Sequence, residues 1–286
     1  MKLRLFELRD LIRQAIVAEV SIDKVKDMRG ASGSTHEMNT ARLVDDERQF
    51  FVKFSDMGDD VWNSGDPDPS MQCISEYLAY RVYSLYPGVK IPPRVELVFD
   101  PKNSRVGLAT AAVKGKMALG RMKPQQLAKG MEAGVYVDIF LANYDVVGTG
   151  TGNVMSSDDG SVTRIDPGSA FKYRARGGRK GSAFNAEAGE LKTMLDPKFN
   201  YGSGAGGVFQ HADLKVAAKE FLAIPWTTVA HTIDQVYASV LAELEENKMN
   251  ELASQWSAEV NDIKSILGGR YKVVASHAKK VSASSR

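Results

Sequence analysis

The sequence predicts an α+β protein of two lobes, with strands gathered in the N-terminal half and helices in the C-terminal half. Three observations predict it. Short β-prone runs, among them "MNTARLVD", "RQFFVKFS", "RVELVFD" and "VGLATAAVK", fall before residue 115. From Gln125 onward apolar residues recur at helical spacing, first in "QQLAKGMEAGVYVDIFLANYD" and again in several stretches after residue 187. A chain of 286 residues is also long enough to bury a substantial core around a shared cleft.

The first stretch, "MKLRLFELRDLIRQAIVAEV", sets Leu5, Leu8, Ile12 and Ile16 among charges. It reads as an amphipathic helix over 1–20, not as a signal peptide or a membrane span. Residues 21–115 read as an N-terminal lobe of about five antiparallel strands and one helix. One possible strand precedes the small-residue loop "RGASGSTHE". "MNTARLVD" and "RQFFVKFS" then suit a hairpin around Asp45, Asp46 and Glu47, and "RVELVFD" and "VGLATAAVK" supply two more strands. Between them "DMGDDVWNSGDPDPS" is an acidic loop rich in Gly and Pro.

The helix of this lobe is "MQCISEYLAYRVYSLY", residues 71–86, stopped by Pro87 and Gly88. Met71, Ile74, Leu78, Val82 and Leu85 form one apolar stripe, and Ala79, Tyr80 and Tyr83 a second apolar side, so cover is expected on two faces. "VKGKMALGRMKP" connects to a mainly helical C-terminal lobe over 116–275. Its later helices are split by "NYGSGAGG" and by Pro225, and Trp226 and Trp256 are expected in its core. The last segment, "SHAKKVSASSR", reads as a flexible basic tail over 276–286.

Composition narrows the function. A net charge of +2 makes no electrostatic case for DNA, RNA or an acidic membrane as partner. The single cysteine, Cys73, excludes an intrachain disulfide framework, and the four histidines show no ligand spacing. A cytoplasmic protein is expected, either in its own cell or delivered into a host cytoplasm.

The chemistry concentrates in "ANYDVVGTGTGNVMSSDDGSVTRIDPGSAF", residues 142–171. Asp145, Asn153 and Asp166 alone are common turn residues, and Gly148, Gly150 and Gly152 suit many loops. Their context adds a second reading. Asp145 follows an apolar helix and Asp166 an apolar strand, so two carboxylates and an amide lie at the ends of rigid elements. Such hard oxygen ligands, with room left for water and phosphate, suit Mg²⁺. Upstream, "GASGSTHE" offers Gly33, Ser34 and Thr35 to approach a phosphate. Lys53 lies inside the aromatic strand "FFVKF", 20 residues after Gly33, and Glu76 in the following helix is placed to pair with it. An outward-pointing strand lysine is the other reading of Lys53.

This ordered set of small-residue loop, "VKF" lysine, "SEYLAYRVY" helix, "NYD…GN" and "RIDPGSAF" resembles the atypical branch of the protein-kinase-like superfamily. The resemblance is closest to actin-fragmin kinase, HipA-like and phosphoinositide-kinase-like proteins, and it covers roughly residues 25–200. It implies a two-lobed protein-kinase-like fold. It also implies an ATP- and Mg²⁺-dependent phosphotransferase, acting on a protein Ser or Thr hydroxyl. On that resemblance Gly33, Ser34 and Thr35 cover the nucleotide phosphates, Lys53 contacts the α- and β-phosphates, and Glu76 holds Lys53. Asp145 orients or deprotonates the acceptor, and Asn153 and Asp166 ligate Mg²⁺. The chain departs from the common pattern in three ways. Asn153 follows Asp145 by eight positions rather than five, and no His-Arg motif precedes Asp145. Glu76 lies off the main apolar stripe of its helix, toward Tyr80 and Tyr83, so its pairing with Lys53 requires that side to face the nucleotide. Lys172, Arg174, Arg176, Arg179 and Lys180 follow where a kinase carries its activation segment, as a substrate-facing basic run or a solvated loop. Transfer of AMP, a lipid or small-molecule acceptor, and a pseudokinase interaction module are the alternative functions.

Overall fold

The protein is seen in a computed structural model that describes residues 20–21, 25–30, 37–43, 45–54, 69–118, 122–148, 151–174, 178–199 and 204–284. The expected helix over 1–20 lies, except for Val20, outside the described residues, and Val20 itself begins a strand.

β-Branched and aromatic residues build the N-terminal strands, as their fit to a pleated surface requires. These are β1 (Val20–Ser21), β2 (Val25–Gly30), β3 (Glu37–Leu43), β4 (Asp46–Phe54), β5 (Val95–Asp100) and β6 (Arg105–Ala111). They form one sheet in the order β1-β5-β6-β4-β3-β2. Five strands pair antiparallel, and the two-residue β1 joins the edge parallel to β5. Helix α1 (Pro69–Tyr83) packs on one face of this sheet, and every one of its residues except Pro69 and Arg81 is buried. It is therefore covered on both apolar sides that its sequence displays.

Register decides where Lys53 points. Residues directly opposite on paired strands share a face. Lys53 lies opposite Leu108, which lies opposite Leu97, and both leucines belong to the core beneath α1. The neighbouring set, Phe54 with Val52, Val98 and Ala109, forms a separate core on the other face. β4 is an interior strand, and Lys53 is buried rather than turned outward to solvent.

The C-terminal part is mostly helical. Strand β7 (Lys116–Met117) precedes helices α2 (Pro124–Met131) and α3 (Val135–Phe140), and with β8 (Val154–Ser156) and β9 (Val162–Arg164) it forms a small sheet in the order β7-β8-β9. Then follow α4 (Glu190–Thr193), α5 (Ala205–Phe209), α6 (Leu214–Leu222), α7 (Trp226–Glu246) and α8 (Asn250–Ala283). Trp256 is fully buried and Trp226 packs partly buried against the same core.

Helix α8 corrects the expected flexible tail. It runs unbroken through Gly268 and Gly269 and continues to Ala283, so most of 276–286 is helical. The glycines are there for close packing: a Cβ on Gly269 would stand 2.5 Å from that of Ala186. Beyond them Val274, Ala275 and Ala278 are buried, and the Tyr136 hydroxyl lies 2.8 Å from His277 Nδ1. Tertiary packing outweighs the low helix propensity of glycine.

Two buried arginines join these elements. The Arg164 guanidinium donates to both carboxylate oxygens of Asp138 on α3, at 2.9 and 2.7 Å, and to the Met131 carbonyl at 3.0 Å. Arg270 of α8 donates to the carbonyls of Phe140 and Ile139 at 2.8 and 2.5 Å, and to Glu190 at 2.7 Å. Those carbonyls close the C-terminal end of α3, where intrahelical donors run out. Replacing Arg164 by Met leaves the Asp138 carboxylate buried without its cation and is expected to remove about 3–5 kcal/mol of stability in urea unfolding. The double variant with Asp138→Leu is expected to recover part of that loss, and equal losses in single and double variants would refute the pair's role.

Candidate active site

The segment before Asp145 begins where α3 ends. Ala142 takes a left-handed backbone, with φ of +57°, which turns the chain sharply after the helix. Asn143 N–H then donates back to the Asp138 carbonyl at 2.8 Å. The side chains behind the loop form a continuous hydrogen-bonded chain. Tyr83 donates to Asp138 at 2.8 Å, and Asn143 donates to the Tyr83 hydroxyl at 2.9 Å. Ser169 Oγ donates to Asn143 Oδ1 at 2.5 Å and accepts from the Asp145 backbone N–H at 3.3 Å. The loop that carries Asp145 is thus tied to α1, to α3 and to the turn after Asp166.

The eight-position interval closes by a turn at Gly148. Its φ of +73° suits glycine, and a Cβ there would lie 2.7 Å from Asn153 Cγ. Gly148 N–H donates to the Asp145 carbonyl at 2.9 Å, and Asn153 N–H to that of Val147 at 3.2 Å. Asn153 Nδ2 then donates to the Asp145 carbonyl at 2.7 Å and to its carboxylate at 3.2 Å. Ile165 N–H donates to the Asn153 carbonyl at 3.1 Å, which sets Asn153 across from the residue before Asp166.

Asp166 emerges just past β9, where Tyr80 donates to the Ile165 carbonyl at 2.6 Å. Its carboxylate accepts from Gly168 N–H at 3.2 Å and lies 3.4 Å from Lys53 Nζ. The same ammonium donates to Glu76 Oε2 at 2.5 Å. Gly168 permits this approach, since a Cβ there would stand 3.0 Å from Asp166 and 3.1 Å from Glu76. Lys53, Glu76 and Asp166 therefore meet at one point, and Asn153 joins Asp145. Gly33, Ser34 and Thr35 lie outside the described residues.

The same charges shift protonation. Burial works against the Lys53 ammonium, but Asp166 and Glu76 outweigh it and hold its pKa above the usual lysine value. Burial pushes the Glu76 carboxyl up, Lys53 pulls it down, and Asp166 pushes it up again. Asp145 is raised too, first by burial and then by the Asp166 charge, with the Asn153 hydrogen bond opposing. A raised carboxylate is the better proton acceptor.

Among the described residues no group of three or more His, Cys, Asp and Glu could hold a metal ion. The set around Asp166 is of another kind, two carboxylates and one amide, which matches the hard oxygen donors that Mg²⁺ prefers. The Asp166 side chain is 46% exposed and so leaves an approach for water and a ligand. None of these residues lines the groove of about 1110 Å³ between the end of α1, residues 86–95 and α7.

No protein-family model matches the chain, and no curated protein matches it. Among solved structures the chain is similar to a crystal structure of the Helicobacter pylori proinflammatory kinase CtkA. The identity is 12%, the TM-score 0.49, and the match covers 94% of this chain and 100% of that one.

Three residues of the basic run are held inward, while Arg174 is exposed and Arg176 lies outside the described residues. Lys172 pairs with Asp262 and Arg179 with Glu259, both on α8. Lys180 is buried, and its Nζ donates to the carbonyls of Ala142 and Ser169, each at 2.6 Å. The sequence reading passed over Asp138 and Arg164, gave Asn143 and Ser169 no part in holding the site, and placed Lys180 only in the basic run. A signal was present for two of them, since Asp138 sits inside "VYVDIFLA" and Arg164 inside "VTRID", charges in otherwise apolar runs.

Burial pushes the Lys180 pKa down to about 7; Glu190 opposes the fall, and Arg270 and Arg174 add to it. The unfolded chain keeps that proton to about pH 10. Between the two values the unfolded state binds more protons, so this contribution to stability is full above the unfolded pKa and is lost as pH falls toward 7. The difference in urea midpoint between the parent chain and Lys180→Met is therefore expected to widen from roughly pH 7 to pH 9. A difference that stays constant over that range would show that Lys180 does not titrate there.

Proposed function

We propose that the chain is an ATP- and Mg²⁺-dependent phosphotransferase, a protein serine/threonine kinase of the atypical type. One observation carries the reading: a buried strand lysine paired with a helix glutamate also reaches the carboxylate of Asp166. Beside it stands a second carboxylate, Asp145, held by Asn153. That arrangement serves phosphoryl transfer, which asks the protein chiefly for positioning and for neutralising charge.

In this reading Lys53 places the α- and β-phosphates of ATP, and Glu76 keeps its ammonium directed. Asp166 and Asn153 hold Mg²⁺, which when bound offsets the negative charge on the phosphate oxygens. Asp145 orients the acceptor hydroxyl and takes its proton as the oxygen bonds to the γ-phosphorus. The bond from that phosphorus to the bridging oxygen breaks, and ADP leaves with its electron pair. Burial of Asp145 favours this proton transfer, because the carboxylate is raised above its usual range.

Incubation with γ-labelled and α-labelled ATP tests the reading. Label transferred from the γ position alone is expected. Label from the α position would mean nucleotidyl transfer, and none from either would leave only a binding module. Asp166→Ala is expected to lower Mg²⁺-dependent transfer by about 10²- to 10³-fold while the thermal unfolding transition stays cooperative. Undiminished transfer in that variant would overturn the metal assignment.

A further inference from the structure

An antiparallel bridge between Tyr173 and Arg179 sets residues 172–174 against 178–180. Arg174 N–H donates to the Gly178 carbonyl at 2.7 Å, and Lys180 N–H to that of Lys172 at 2.7 Å. The Arg174 side chain adds a bond to the Arg179 carbonyl at 3.0 Å, and the Arg179 guanidinium lies over the Tyr173 ring at 5.0 Å. These two short segments are fastened to α8 by Lys172 with Asp262 and by Arg179 with Glu259. These two carboxylates are three positions apart on the helix and so share one side of it. In a protein kinase that needs an activating phosphate, an added anion collects the cations of this segment. Here carboxylates of α8 already hold two of those cations, Lys172 and Arg179, and the residues before Asp145 are Asn143 and Tyr144, with no arginine to receive a phosphate.

The second segment ends in Lys180, whose amine reaches into the site from behind. One of its acceptors, Ala142, lies three positions before Asp145; the other, Ser169, lies three after Asp166. Ala142 is a non-glycine residue held in a left-handed backbone, a conformation that persists only where its surroundings impose it. Ser169 bonds Asn143 and the Asp145 N–H through its hydroxyl. Lys180 thereby closes a ring that runs through Ala142, Asn143 and Ser169. An amine donates two hydrogen bonds whether or not it carries the extra proton, so the ring holds in both states.

We propose that Lys180 is a positioning residue that locks the Asp145 loop to the turn after Asp166, and that its own segment is held ready by the α8 ion pairs without phosphorylation. The proposal rests on the phosphotransferase reading for its effect on rate, but not for its effect on structure. Lys180 donates to two backbone carbonyls and lies over the Tyr144 ring at 5.2 Å, so it acts through Asp145 and Asp166.

Two readouts on the full chain test it. In Lys180→Met, amide hydrogen exchange over residues 141–148 is expected to speed up by about tenfold or more, with α7 unaffected. In the same variant kcat is expected to fall by about 10- to 100-fold while KM for ATP changes by less than about twofold, since a misplaced loop degrades alignment more than nucleotide binding. The parent chain, freed of phosphate by phosphatase and checked by mass, is expected to keep its full kcat. Should Lys180→Met fail to fold, Lys180→Gln keeps one donor group and is expected to show the same changes at smaller size.

Unchanged exchange over 141–148 overturns the lock whatever the activity. A raised KM with kcat intact overturns the positioning role. Loss of rate on dephosphorylation overturns the phosphate-free state. A parent chain that transfers no label, but whose 141–148 exchange responds to Lys180→Met, would remove the phosphotransferase reading and uphold the lock.

Discussion

The ammonium of Lys53 is buried in a sheet and shared between two carboxylates that arrive from distant parts of the chain. Glu76 comes from the helix packed on that sheet, and Asp166 from the strand end of the other lobe. A buried cation is tolerated only with such partners, because leaving water costs it more than any single neutral contact returns. The rest of the site follows from that need. For Lys53 to be buried, β4 must be interior and in register with Leu108. For Glu76 to reach it, α1 must lie flat on the sheet, and for Asp166 to reach it, the turn at Gly168 must press against α1.

A second set of buried polar groups supports this one from below. Asp138, Arg164, Tyr83, Asn143 and Ser169 are each partnered, and together they connect α1, α3, β9 and the loop of Asp145. Polar networks of this kind stabilise a single arrangement because any displacement strands a donor or acceptor in a low-dielectric interior. The two lobes thus meet through directional contacts rather than through apolar packing alone. Arg270 extends the same logic to α8, so the longest helix of the chain is joined to the end of α3.

The groups that touch the site were more legible in the sequence than the groups that support them. Lys53, Glu76, Asp145 and Asp166 stand beside marked local patterns, a lysine in an aromatic strand and acids at the ends of apolar runs. Lys180 stands in a run of five basic residues, and four of the five resemble any solvated loop. Its partners, the backbone carbonyls of Ala142 and Ser169, distinguish it, and backbone carbonyls leave no mark on a sequence. The same holds for Ser169, an ordinary turn residue until Asn143 and Asp145 are placed beside it.

By itself the sequence determined the order of strands and helices, the apolar sides of α1 and the residues able to carry charge into a cleft. These are local properties, set by periodicity, propensity and the chemistry of single side chains. Only the tertiary structure decided that Lys53 faces α1, that Gly148 folds Asn153 back onto Asp145, and that α8 continues through two glycines to Ala283. It also decided that Lys172 and Arg179 pair with α8 and that Lys180 reaches the Asp145 loop. Each of these depends on a partner remote in the chain, because burial and charge pairing act between surfaces that exist only once the lobes have packed.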